Sequence, residues 1–130
     1  MIVSRLAFVS TFLGFSKLPF TTMTSPSAND LVGKTFDITY ASEHSNDTYR
    51  FVVKEGNKIR WDRIAGTDVG KGDTEDFVMT QLTDTKILIT WIEADGLGLS
   101  NVLDFNEGTC LTHGNNGRGV WKHTGKLTLV

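Results

Sequence analysis

Cysteine is nearly absent from this chain. Cys110 is the only one among 130 residues, which excludes an internal disulfide and a zinc site made of cysteines alone. Proline is almost as rare, at two. Beyond Leu31, no stretch repeats apolar residues at i, i+3, i+4 and i+7 over three turns, so no long amphipathic helix is expected. An excess of charge is lacking too: 13 Lys and Arg against 15 Asp and Glu leave a net charge of -2. No basic field exists to hold a phosphate backbone, and nucleic acid is not an expected partner. No apolar run reaches the roughly 20 residues of a membrane-spanning helix, so no membrane partner is expected for the mature domain.

What the chain does have is glycine, 13 residues of it, between short stretches of alternating character. Its length fits one domain, and its 39% hydrophobic and 22% charged residues are those of an ordinary globular protein. The first thirty residues stand apart. Residues 1–29 contain no Asp or Glu, and Arg5 is followed by an apolar stretch from Leu6 to Phe15. That pattern fits a signal or transit segment; a start at Met23 with a short disordered leader, the upstream part being an artefact of the gene model, is another reading, and ordered structure a third. Residues 1–30 are therefore set aside as a leader and 31–130 taken as the folded domain. The lone thiol suits a reducing compartment, so the cytoplasm is expected, with targeting or secretion through residues 1–22 as the alternative.

From Gly33 onward the period is two, with turns about every ten residues. Phe36, Ile38 and Tyr40 share one face of the first stretch, and Tyr49, Phe51 and Val53 one face of the second. Glu55-Gly56-Asn57 turns the chain into Lys58–Ile64, where Ile59 and Trp61 oppose Lys58, Arg60 and Asp62. Further strands are expected at Glu75–Leu82, Lys86–Glu93, Leu97–Phe105, Thr109–His113, Val120–His123 and Lys126–Val130. Gly114-Asn115-Asn116-Gly117 is a hairpin signal. Seven to nine short strands joined by short turns predict an all-β fold: a small antiparallel up-and-down, lipocalin-like (calycin-type) β-barrel with an internal cavity. Closure would leave no open sheet edge.

Several motifs fail on spacing. Gly66-Thr-Asp-Val-Gly-Lys-Gly lacks the phosphate-loop pattern and no helix follows it. His44, His113 and His123 lack metal-ligand spacing, although His113 and His123 could meet across their hairpin. Asp73, Glu75 and Asp76 lack the calcium-loop glycine, and Ser100 lacks a nucleophile elbow. No metal and no cofactor is expected.

One constellation survives. Glu93 follows Ile87, Ile89 and Trp91 on one face. If that face is the lumen, desolvation would raise the Glu93 pKa and make it a general acid beside a stacking Trp. If it is the rim, Glu93 is solvated and Trp91 is core. Arg60 is a surface residue by alternation; turned inward, its fork of donors could bind a carboxylate or pair with Glu93. Tyr40 and Tyr49 would need hydroxyl partners if buried, and a ligand oxygen would serve.

Leu31-Val-Gly-Lys-Thr-Phe, Thr39-Tyr40, Thr48-Tyr-Arg50, Gly56-x-x-x-Arg60-Trp61, Trp91-x-Glu93-x-x-Gly96 and Val102-Leu-Asp-Phe105, taken in order, resemble the phenolic acid decarboxylase superfamily. They also resemble the molybdenum cofactor biosynthesis protein F-like (MoaF-like) family, which shares the lipocalin-like barrel. The decarboxylase resemblance implies a cofactor-free reaction in which a Glu protonates a hydroxycinnamate and carbon dioxide leaves. By position the acid falls on Glu93, its orienting Arg on Arg60, and one of two carboxylate-binding Tyr residues on Tyr40. The other falls on Ile38, so half of that clamp is replaced, and Ala94-Asp95 stands where Pro-Thr is usual. An inward Arg60 also conflicts with strand parity unless a bulge intervenes.

The function expected is that of a small-molecule-binding barrel acting as a cofactor-free lyase, isomerase or cyclase by proton transfer. The alternative is a non-catalytic binding protein. Catalysis is placed on Glu93, Arg60 and Tyr40, and binding of a hydrophobic or aromatic molecule on Trp91, Tyr49, Ile38, Phe51 and Trp61. The resemblance also makes a homodimer an expected assembly.

Overall fold

The computed structural model describes residues 25–41 and 46–130. The expectations for residues 1–22, Met23 and His44 concern positions outside them. Among the described residues, eight strands close into a barrel in sequence order. They are β1 (Thr35–Ala41), β2 (Asn46–Lys54), β3 (Lys58–Ala65), β4 (Gly72–Gln81), β5 (Lys86–Ile92), β6 (Gly98–Asp104), β7 (Thr109–Asn115) and β8 (Val120–Leu129). All neighbours are antiparallel, and β1 closes onto β8 from Phe36↔Leu129 to Tyr40↔Gly125. This is the all-β, up-and-down, lipocalin-like barrel that the alternation predicts.

Side chains one residue apart point to opposite faces, so each strand gives one set to the lumen and one to solvent. Phe36 and Ile38 from β1, Phe51 and Val53 from β2, Ile59 and Trp61 from β3, and Ile87, Ile89 and Trp91 from β5 are all buried. Paired side chains meet across strands: Phe36 stacks on Phe51, ring centroids 5.2 Å apart, and Phe105 meets Phe36 edge-on at 5.8 Å. Charge lies outside, as where Arg50 forks onto Asp37 with two hydrogen bonds of 2.9 Å.

The two ends of the barrel differ. The β2–β3, β4–β5 and β6–β7 turns share one end, and the chain entering β1 covers it. A short 3-10 turn, Asn29–Leu31, places Leu31 in the core with no exposed surface. The Gly33 N–H donates to the Val53 carbonyl at 2.7 Å, and the Ala28 N–H to the Gln81 side-chain oxygen at 2.6 Å. Part of the stretch set aside as leader therefore lies against the barrel, since Ala28 packs on the core. The β1–β2, β3–β4, β5–β6 and β7–β8 connections gather at the other end.

Two expectations change. Val120–His123 and Lys126–Val130 are not separate strands but one, β8. Thr124-Gly125 reads as a break because glycine weakens a strand interior, yet here the strand runs through it. A Cβ at Gly125 would come within 2.6 Å of Ile38 Cγ2 and 3.0 Å of Tyr40 Cε1, so glycine lets β8 close against β1. The second change concerns parity. A bulge does occur, at Thr48/Tyr49, where Thr48 pairs Ala65 and Tyr49 pairs Arg63. It leaves Arg60 in regular register with Val52, and so does nothing to turn Arg60 inward.

Leu31→Ala is expected to lower stability by about 2–5 kcal/mol, the usual cost of emptying a fully buried leucine site. Denaturant unfolding measures it; a loss below about 0.5 kcal/mol, the level of a neutral surface change, would contradict the closed end drawn here.

Candidate functional site

Inside the barrel lies a cavity of about 570 Å³, which is the size of a small-molecule site. It occupies the half away from Leu31. Tyr40, Tyr49, Phe51, Trp61, Trp91 and Trp121 form its aromatic wall, with Leu99 between them. The rings run on from the core: Phe51 meets Trp91 at 5.5 Å, Tyr49 meets Phe51 and Trp61 at 6.3 Å, and Tyr40 meets Tyr49 at 6.0 Å. Trp121 lies over its cross-strand partner Gly114, where a Cβ would stand 2.6 Å from the indole. Glycine at 114 thus makes room for a ring at the cavity's edge.

Polar groups interrupt this wall in two places. The first is a buried chain through β1, β7 and β6. The Asn101 amide donates to the Ile89 carbonyl at 3.3 Å, so its Oδ1 faces the other way. Thr112 donates to that oxygen at 2.7 Å. The Thr112 proton is then committed, and the 2.6 Å contact between Tyr40 Oη and Thr112 Oγ1 must have Tyr40 as donor. Cys110 Sγ stands 3.4 Å from the same Thr112 oxygen. Burial pushes the Tyr40 hydroxyl far above its ordinary pKa, and the Cys110 thiol upward as well. Tyr40 is a neutral phenol whose proton goes to Thr112; its oxygen, which also stands 3.9 Å from the Cys110 thiol, can offer the cavity only an acceptor.

The second polar region is acidic. The Trp61 indole N–H donates to Glu75 at 3.0 Å, within the buried wall. The Trp91 indole N–H makes a longer 3.4 Å contact to Glu93. Phe77 pairs Trp91, so Glu75 and Glu93, each two residues on in opposite directions, are neighbours on the inner face. Glu93 sits just past β5, half-buried, with its N–H donating to the Leu97 carbonyl. Its pKa is raised, chiefly by burial; the Trp91 N–H opposes this, Asp95 and Glu75 add to it, and Lys71 offsets part of it. Asp47, Asp73 and Asp95 also line the cavity, against Arg63 and Lys71 as cations.

Of the residues expected to form a site, Glu93, Tyr40, Trp91, Tyr49, Phe51 and Trp61 line this one cavity. Ile38 and Arg60 do not. Ile38 is fully buried in the packed wall facing Gly125. Arg60 lies on the outer face and forks onto Asp62 at 2.7 and 3.1 Å. It cannot orient Glu93 from there, because parity holds from Ile59 through Trp61. The cavity's arginine is Arg63, three positions on. It donates to the Tyr49 hydroxyl and to Thr67, faces Asp68 at 3.5 Å, and stands 4.9 Å over the Tyr49 ring. Its Nε is sealed from solvent without a hydrogen-bond partner among the described residues.

His123 was missed as well. It lines the cavity at its mouth, itself exposed, with its ring 6.1 Å from Tyr40, whereas His113 pairs Lys122 and is exposed on the other face. The two histidines therefore do not meet. Counting in twos along β3 from Trp61 reaches Arg63, and along β8 from Leu127 reaches His123; that parity was the available signal. Among the described residues no group of three or more His, Cys, Asp or Glu is placed to hold a metal ion.

The sequence profile of the MoaF-like family matches residues 32–128. The chain belongs to the MoaF-like family. This answers the MoaF-like half of the resemblance and not the decarboxylase half. Among solved structures, the MoaF-like barrel here is similar to the crystal structure of "a putative beta-lactamase from Burkholderia vietnamiensis", with a TM-score of 0.67 and 24% identity, covering 77% of this chain and 95% of that one. At that identity the likeness is one of fold. No serine of this chain is followed three residues later by lysine, as the serine β-lactamase motif requires. A search of curated proteins finds no match.

The raised Glu93 pKa has a measurable sign. The folded state holds this proton more tightly than the unfolded chain, so its stabilising contribution is complete below the unfolded value of about pH 4 and lost as pH rises through the folded value. Glu93→Gln, which keeps the shape and removes the charge, is expected to be more stable than the wild type near pH 7, with the difference closing in acid. Denaturant midpoints at both pH values decide it; a difference that persists in acid would assign the effect to packing.

Proposed function

We propose that this MoaF-like barrel binds a small, mostly flat aromatic or hydrophobic molecule in its lumen. The observation that carries the reading is the cavity of about 570 Å³ whose wall is aromatic on most sides and polar at two defined places. Such a surface removes apolar area from water and fixes orientation through a few polar groups. All three tryptophans of the chain, Trp61, Trp91 and Trp121, line it, so their fluorescence reports occupancy directly.

Titration with the neutral probe N-phenyl-1-naphthylamine is expected to quench tryptophan emission saturably, with one site per chain. Leu99→Phe, which fills the lumen, is expected to weaken it at least tenfold while leaving the circular dichroism unchanged. Quenching that does not saturate, or that Leu99→Phe leaves alone, counts against an internal site.

A second reading rests on Glu93. A carboxyl group beside Trp91, with its pKa raised by burial, has the character of a general acid. On this reading the barrel is a cofactor-free lyase or isomerase, with Glu93 delivering a proton to an unsaturated ligand over the indole. Neither Arg60 nor a second clamp tyrosine assists. Loss of p-coumarate ultraviolet absorbance with the wild type, abolished in Glu93→Gln, is the expected result for this chemistry. Unchanged absorbance in both would remove decarboxylation and leave binding.

A further inference from the structure

The lining of the cavity departs from what an organic acid needs. A carboxylate ligand wants donors and positive charge. Here Glu75, Glu93 and Asp47, with Asp73 and Asp95 exposed at the mouth, stand against Arg63 and, exposed at the mouth, Lys71 and His123. The arginine is already committed to the wall. Its terminal nitrogens are bonded to Tyr49 and Thr67, and the remaining Nε is sealed off. Glu75 and Glu93 take indole N–H groups from Trp61 and Trp91, which sets each carboxylate at the edge of a ring that lines the cavity. In a cleft with low-dielectric walls, charge of one sign is focused rather than screened.

The hydrogen-bond chain gives the same answer independently. The Ile89 carbonyl fixes the Asn101 amide, Asn101 fixes the Thr112 proton, and Thr112 takes the Tyr40 proton. A backbone carbonyl at one end thus dictates that Tyr40 shows the cavity an acceptor. A ligand that hydrogen-bonds to Tyr40 does so as a donor, in competition with the Cys110 thiol 3.9 Å away.

We infer that the cavity selects an aromatic amine, protonated and donating hydrogen bonds, over a carboxylic acid of the same shape. The ammonium group meets carboxylates and aromatic faces, where cation–π attraction adds to charge pairing, and its N–H groups satisfy the Tyr40 oxygen. This inference rests on the binding reading and runs against the acid substrate that the decarboxylase resemblance implies.

Cinnamylamine, cinnamamide and cinnamate share one skeleton and differ in charge, so they separate shape from electrostatics. Tryptophan quenching and calorimetry at neutral pH are expected to rank them in that order, with cinnamylamine at least tenfold tighter than cinnamate. The Glu75→Gln, Glu93→Gln double variant keeps both side chains as acceptors for the indoles and removes two charges, and should compress that ratio severalfold. Tyr40→Phe should weaken the amine and the amide and leave cinnamate unchanged. Cinnamate binding as tightly as the amine, or a ratio untouched by the double variant, overturns the inference while leaving binding intact. No quenching and no heat with any of the three, together with no quenching by the naphthylamine, overturns the binding reading and this inference with it.

Discussion

Closure of the sheet is the constraint from which the rest follows. Once β1 pairs β8, no strand among the described residues is left at a sheet edge, and every strand residue is committed to the inside or the outside by its parity. A slip of one residue would exchange the two faces completely. The bulge at Thr48/Tyr49 and the glycine at 125 are therefore structural devices. The first adjusts register beside the cavity, and the second gives β8 the close approach that closure needs.

Parity then divides the lumen along its length. At one end Leu31, Phe36, Val53, Ile59, Ile87 and Leu103 are packed with no exposed surface. At the other end the inward positions hold Tyr49, Arg63, Glu93 and His123, whose longer or polar side chains leave a space they line but do not fill. Polar groups there are partnered across strands: Trp61 with Glu75, Tyr40 with Thr112, Tyr49 with Arg63. Leaving buried polar groups unpaired is costly, Arg63 Nε being the exception among the described residues, and the way the others are satisfied determines which donors and acceptors a ligand meets.

The two resemblances fare differently for a physical reason. Family membership is carried by the spacing of many wall and turn residues along 32–128. A reaction is carried by a few side chains that must converge. Here the acid position, Glu93, and one tyrosine, Tyr40, do reach a common cavity, while Arg60 and Ile38 do not. What the cavity holds is a partly buried carboxyl at the edge of an indole, without Arg60 or Ile38 beside it.

The sequence alone determined the alternation, hence an all-β barrel of seven to nine strands and which side chains share a face along β1, β2 and β5; six of the eight residues it offered as a site line the cavity. Those are local properties: period two and turn chemistry act between near neighbours. Tertiary structure decided the remainder. It continued β8 through Gly125 because Ile38 and Tyr40, more than eighty residues earlier, occupy the space a side chain would need. It placed Arg63 rather than Arg60 in the lumen and brought His123 to Tyr40. It also set the direction of the Asn101–Thr112–Tyr40 chain through the carbonyl of Ile89. Each of these depends on contacts between strands distant in sequence, which only closure of the barrel brings together.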